Sequence, residues 1–156
     1  MKVARLTLSD RASAGIYEDR SGPEIERVIG GADFGEVEWR RVVMPDERAD
    51  LEVLLRQLAD EEKFDLILTT GGTGPSPRDI TPEATRAVLE RELPGFGEIM
   101  RVHSFAKVPT AILSRATAGT RGTALIVNLP GNPKAIGECL PLLLPAIREA
   151  IKHLHE

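Results

Sequence analysis

The run Phe64-Asp65-Leu66-Ile67-Leu68 empties directly into Thr69-Thr70-Gly71-Gly72-Thr73-Gly74. A short apolar run without polar alternation suits a strand covered on both faces, and such strands sit inside parallel sheets flanked by helices. The chain then passes Pro75, Pro77 and an Arg78-Asp79 pair before reaching Thr81-Pro82. A hydroxyl followed by proline at the first helical position is a helix start. Buried strand, glycine-rich exit and helix therefore follow one another within about twenty residues, the unit of an α/β fold.

The rest of the chain repeats the alternation. Residues 2–8 (KVARLTL) read as a strand and 9–20 as a polar loop. Ser21 is expected to cap a helix that carries Pro23 and Glu24 in its first turn and ends at Gly30-Gly31. Residues 36–44 (EVEWRRVVM) read as a second strand. Leu51, Leu54, Leu55, Leu58 and Ala59 form the stripe of a helix over 45–63. Residues 81–92 and 95–106 read as helices, and 110–129 as two strands in a hairpin. The last segment carries Ile136, Cys139, Leu140, Leu143, Leu144, Ile147, Ile151 and Leu154 at helical spacing, with Pro141 and Pro145 expected to break or kink it. The result is an α/β domain with a mostly parallel sheet and a late antiparallel hairpin. The 156 residues contain no repeat or linker and are expected to form one domain, 1–156.

Composition narrows the function. A net charge of −4 and an aromatic content of 4% argue against nucleic acid as a partner. Cys139 is the only cysteine, so no intrachain disulfide forms, and a reducing, cytoplasmic setting is expected. The N-terminus lacks the apolar core of a signal peptide, and no stretch is apolar enough to span a membrane.

Four unusual segments each follow a predicted strand: 9–13 (SDRAS), 45–47 (PDE), 69–79 (TTGGTGPSPRD) and 128–134 (NLPGNPK). In open α/β sheets ligands bind beyond the carboxyl ends of the strands, and if the first three strands are parallel their loops share one edge, so the segments are expected to converge on one candidate site. The glycine run either makes a strand-exit turn that needs positive φ or lets backbone N–H groups approach an anion. It is neither a P-loop nor a dinucleotide fingerprint. Asp79 either supports the start of the helix at Thr81, held by Arg78, or coordinates a hard cation. Asp46 is either the cap of the helix after Pro45 or a second carboxylate for a magnesium-nucleotide site. Asn128, Gly131, Asn132 and Lys134 offer amides, a backbone and an ammonium, although Asn132-Pro133 also reads as a cap and first helical residue. Tyr17 is expected to pack. Cys139 lies on an apolar stripe and reads as a core thiol. The three histidines do not assemble a zinc site, and no nucleophile elbow marks a serine hydrolase.

Together SDRASAGIYEDRSGP, PDE, TTGGTGPSPRDITPEAT, LPGFGEIMR, AILSRATAG and LPGNPKAI resemble the molybdopterin adenylyltransferase family, in order from residue 5 to about residue 140. The stretch is also similar to the N-terminal domain of gephyrin. The resemblance implies a three-layer α/β/α fold of the molybdopterin-binding type and a homotrimer. It implies AMP transfer from ATP to molybdopterin with magnesium, releasing pyrophosphate, and a molybdenum-insertion enzyme as transient partner. It makes Asp46 and Asp79 the essential carboxylates and metal ligands. It places Thr70, Gly71, Gly72, Thr73 and Gly74 along the ligand site, with Ser9, Ser114, Asn128, Pro130, Gly131, Asn132 and Pro133 as further binding positions. The alternative is a member of the same family that binds pterin as a scaffold without catalysis.

Overall fold

The computed structural model describes residues 1–156. The elements in chain order are β1 (Lys2–Leu8), α1 (Asp10–Ser13), α2 (Ser21–Gly30), β2 (Glu38–Met44), α3 (Arg48–Arg56), β3 (Leu66–Thr70), α4 (Thr81–Val88), β4 (Arg91–Glu92), α5 (Gly95–Phe105), β5 (Ala118–Arg121), β6 (Ala124–Leu129) and α6 (Pro133–Leu154). A π-helical turn (Gln57–Glu61) extends α3, and a 3-10 helix (Pro109–Leu113) follows α5.

The six strands form one sheet in the order β2-β1-β3-β6-β5-β4. β2, β1, β3 and β6 run parallel, while β5 and β4 are antiparallel to their neighbours. Alternation along the strands divides the core. Val3, Leu66, Leu68, Leu125 and Val127 face α2, α5 and α6. Ala4, Leu6, Ile67 and Ile126 face α3 and α4. This is the three-layer α/β/α arrangement. The chain leaves β1 for β2 on one side and returns to β3 on the other. A crevice therefore opens between β1 and β3 at the carboxyl edge, the switch point of the sheet. No helix is long and apolar enough to cross a membrane.

Several boundaries differ from the sequence reading, each for a physical reason. β3 continues two residues further than the apolar run, because threonine suits a strand and both hydroxyls have partners: Thr69 Oγ1 accepts from Asn128 Nδ2, and Thr70 Oγ1 donates to the Pro130 carbonyl. Residues 109–113 form the 3-10 helix, so the first strand of the hairpin begins only at Ala118. The two-residue β4 falls where the sequence predicts helix; both its residues are exposed and carry no apolar signal. α6 is continuous through Pro141 and Pro145. The two prolines lie four residues apart on an exposed face, opposite buried Ile136, Leu140, Leu143 and Ile147. The carbonyls that lose their N–H partner belong to Gly137 and Pro141, neither of them buried, which lowers the cost of proline inside a helix.

Candidate active site

Three strands deliver their loops to the crevice. After β1, the Ser9 hydroxyl caps the single turn of α1 by accepting from Ala12 N and lies 2.9 Å from the Tyr17 hydroxyl. After β2, Asp46 and Asp10 exchange backbone-to-carboxylate bonds: Asp10 N donates to Asp46 Oδ2 at 3.1 Å, and Asp46 N donates to Asp10 Oδ1 at 3.0 Å. This fixes the Asp46 side chain over the crevice and away from α3. The capping role is thereby excluded: α3 begins at Arg48, with Glu47 at the cap position and no side-chain cap bond. The other Asp46 oxygen, Oδ1, is buried and has no partner. A buried acceptor without a donor is costly and calls for an explanation. Burial pushes the Asp46 carboxyl above its ordinary value against the Asp10 N–H bond, and the charges of Asp10 and Asp79 add to the rise.

After β3 the backbone turns through Gly71 (φ 92°) and Gly72 (φ 68°). A Cβ at Gly71 would stand 2.4 Å from the Leu8 carbonyl oxygen, and one at Gly72 would stand 3.0 Å from Asp46 Oδ1. Only glycine brings the two loops this close. The backbone N–H groups of Gly71, Gly72, Thr73 and Gly74 make no hydrogen bond within the chain. Successive free N–H groups around left-handed residues form a concavity that favours anions. Asp79 closes the far side. Its Oδ2 accepts from Ser76 N at 3.0 Å, so it organises its own loop and does not cap α4. Thr81 does not cap either; its hydroxyl donates to the Gly71 carbonyl at 2.9 Å and ties α4 to the glycine turn.

The resulting cavity, of about 190 Å³, is lined by Ser9, Asp46, Thr70, Gly71, Gly72, Asp79 and Gly131 together with Thr7, Leu8, Tyr17, Asp19 and Ser21. Tyr17 is 52% exposed at its lip and is not packed in the core. Arg78 does not pair with Asp79. Its guanidinium holds Asp10 (2.9 and 3.1 Å) and Glu47 (3.1 Å), which keeps the Asp10 carboxyl below its ordinary value. Carboxylates thus stand beside an anion cradle, an arrangement that accepts a phosphate only if a cation accompanies it. No group of three or more His, Cys, Asp or Glu side chains is gathered to enclose a metal. Magnesium keeps waters and substrate phosphates in its shell and needs only one or two carboxylates. Asp46, through its unpartnered Oδ1, and Asp79 fit that requirement.

A second cavity, of about 250 Å³, opens on the other side of the Pro130–Asn132 turn. Ser114, Pro130 and Asn132 line it with Met100, Arg101, Ser104, Lys107, Ala116 and Cys139. The turn between the cavities is pinned by Ser21 Oγ, which donates to the Gly131 carbonyl at 2.7 Å, and by the Thr70 bond to Pro130. Asn132 caps α6 by accepting from Lys134 N, with Pro133 in the first turn. Lys134 lines neither cavity.

Residues 4–149 match the family described as a probable molybdopterin binding domain. The molybdopterin adenylyltransferase of Helicobacter pylori strain 26695 is 54% identical over 145 residues, covering 93% of this chain and 82% of that protein. The molybdopterin adenylyltransferase of Escherichia coli K12 is 46% identical over 153 residues, covering 98% and 78%. Among solved structures, the molybdopterin biosynthesis enzyme MoaB of Thermus thermophilus superposes with a TM-score of 0.89 at 46% identity, covering 98% of this chain and 95% of that one. The chain belongs to the molybdopterin adenylyltransferase family.

Within this member of the molybdopterin adenylyltransferase family, two further sequence expectations need correction. Asn128 is fully buried, its Nδ2 donating to Thr69 and Thr85 hydroxyls and its Oδ1 accepting from Thr117 N. With every side-chain atom engaged, it has no group to offer a ligand and instead joins β3, α4 and the approach to β5. Asn128→Ala is expected to leave those groups unpaired and to cost roughly 2–4 kcal/mol, read from urea unfolding. Ser21 is not the cap of α2. Arg20 holds that position without a side-chain cap bond. Asp19, one residue earlier, serves the first N–H groups by accepting from Ser21 N and Gly22 N at 3.1 Å while its other oxygen accepts from Arg5 and Thr7. Asp19, Arg5 and Arg115 were missed by sequence reading. An aspartate two residues before Ser21 was a readable cap signal. The partners of the two arginines lie 14 and 41 residues away and leave no local trace.

Proposed function

We propose that this molybdopterin adenylyltransferase joins the terminal phosphate of molybdopterin to the α-phosphorus of ATP in the crevice between β1 and β3. A phosphate oxygen of molybdopterin forms the new P–O bond, and the bond from the α-phosphorus to the bridging oxygen breaks, releasing pyrophosphate. The observation that carries the reading is the buried, unpartnered Asp46 Oδ1 standing beside Asp79 and the free N–H row of Gly71–Gly74. Magnesium bound there would neutralise charge on the transferring phosphates. The protein's own part is positioning: the glycine turn holds an anionic group, and Asp46 and Asp79 set where the charge is balanced. Two cavities on either side of one pinned turn match a reaction with two substrates.

The resting form in this proposal is a homotrimer acting in the cytoplasm, which passes its product to a molybdenum-insertion enzyme. The exposed apolar side chains Ile99, Val102 and Phe105 on α5, with Ile112 and Leu113 next to them, offer a surface for self-association.

The test is pyrophosphate release by the purified protein. Release is expected only with ATP, magnesium and molybdopterin all present, from a species whose native mass is that of a trimer. Pterin binding without release would place the chain among non-catalytic scaffolds instead, and a monomeric mass would remove the trimer.

A further inference from the structure

Arg115 belongs to neither cavity facing the reactants, yet its bonds converge on the loop that carries Asp79. Its Nε donates to the Gly74 carbonyl at 2.8 Å and its Nη2 to the Asp79 carbonyl at 2.8 Å. Its own backbone N–H donates to the Thr73 carbonyl at 2.8 Å. The third guanidinium nitrogen pairs with Glu83 in the first turn of α4. One residue therefore grips the loop where it leaves the glycine turn and again where it enters α4. The guanidinium reaches these separated acceptors with three different nitrogens of one planar fork, whereas an ammonium carries its three donors on a single nitrogen and does not span them.

Arg115 is itself held from behind. Arg101 Nη1, on α5, donates to the carbonyls of Ser114 at 3.3 Å and Ala116 at 3.0 Å, the residues on either side of it. Between the two gripped points the loop is tied to the rest of the site by Arg78, which holds Asp10 and Glu47, and closes on itself through Asp79 N donating to the Ser76 carbonyl and Ser76 N donating to Asp79 Oδ2. The space is also tight: a Cβ at Gly74 would stand 2.8 Å from Asp79 Oδ2. A small shift of the Gly74 or Asp79 backbone moves the carboxylate relative to Asp46.

We propose that Arg115 is a positioning residue for adenylyl transfer: by clamping the Gly74 and Asp79 carbonyls it sets the separation of the Asp79 and Asp46 carboxylates. This rests on the reading of Asp79 given above as a group that acts in the reaction.

The experiment compares wild type, Arg115→Gln, Arg115→Lys, Asp79→Ala and the Asp79→Ala/Arg115→Gln double variant. The readouts are kcat and KM for ATP, amide exchange at Ser76 and Asp79, and binding of Mn²⁺ in the presence of a non-cleavable ATP analogue. Arg115→Gln is expected to lower kcat about 10²-fold, the scale of a misplaced reacting group, with KM for ATP nearly unchanged. Exchange at Ser76 and Asp79 should quicken and Mn²⁺ binding weaken. Arg115→Lys should recover part of the loss, and it replaces Arg115→Gln if that variant does not fold. The double variant should be no slower than Asp79→Ala alone, since both changes act through one carboxylate.

An unchanged kcat in Arg115→Gln with Asp79→Ala inactive would overturn the proposal and leave Arg115 a brace for the loop. A double variant slowed by the product of the two single effects would overturn it as well. Full activity of Asp79→Ala is a different result: it removes the role assigned to Asp79, and the role of Arg115 falls with it.

Discussion

Asp46→Asn is expected to slow adenylyl transfer by about 10²–10³-fold, the scale of losing one preorganised charge-balancing group, while raising the melting temperature. The two effects have one cause. The Asp46 carboxyl is raised above its ordinary value, first by burial and then by the nearby charges of Asp10 and Asp79. Its ionised form is therefore less favourable in the folded protein than in the unfolded chain. Asparagine keeps an oxygen to accept from Asp10 N, keeps the backbone bond to Asp10 Oδ1, and removes the charge. Because the folded pKa lies above the unfolded one, ionised Asp46 opposes folding at neutral pH. As pH falls through the raised pKa, the folded state takes up the proton first. The stability gap between wild type and Asp46→Asn should therefore narrow and vanish in acid, below the ordinary carboxylate value of 3.8. Thermal unfolding from neutral to acid pH, beside pyrophosphate release, checks both halves. A less stable Asp46→Asn at neutral pH would show that the carboxylate is a structural element and not a strained one.

Gly71→Ala carries the largest expected cost in stability. Gly71 has φ 92°, a backbone conformation that side chains disfavour. The added methyl would also stand 2.4 Å from the Leu8 carbonyl oxygen, a backbone atom in the middle of the sheet edge. A side chain can swing away, but this carbonyl cannot move without disturbing the β1–β3 pairing at Thr7 and Thr70. The strain alone is worth on the order of 1–3 kcal/mol, and the collision adds to it. Relief requires the loops after β1 and β3 to separate, which would widen the crevice and misplace the N–H row. Gly71→Ala should therefore lose several degrees of melting temperature and most of its transferase activity together. Gly122→Ala is the matching control: Gly122 also has positive φ (55°), but its Cβ would meet nothing within 4 Å. It isolates the conformational cost from the collision and should leave activity intact. Equal losses in the two variants would show that contact with Leu8 does not matter.

Much of the architecture was readable because it rests on local patterns. The apolar run at 64–68, the stripe of α3 and the long stripe of α6 each report burial through spacing alone. The convergence of polar loops on one sheet edge followed from the expectation that the first strands run parallel, with ligands beyond their carboxyl ends, and Asp46, Asp79, Gly71 and Gly72 do line one cavity. Capping was where local reasoning failed. Asp46, Asp79, Ser21 and Thr81 each stand where a cap belongs, and none caps in the expected way. A short polar side chain at a helix start has two outlets of similar energy, its own helix and a neighbouring loop. The choice depends on what the fold brings near: Asp10 for Asp46, Ser76 for Asp79, Gly131 for Ser21 and Gly71 for Thr81.

The sequence by itself determined the fold class, the family and the edge of the sheet that carries the candidate site, because periodicity and motif order are local and survive without coordinates. Only the tertiary structure decided which oxygen of Asp46 is left without a partner, that Asn128 is a buried strut and not a ligand contact, and that Arg115 grips the Asp79 loop from 36 residues away. Those are properties of pairs distant in the chain. Their energies come from desolvation and hydrogen-bond geometry, which exist only once the loops have been brought together.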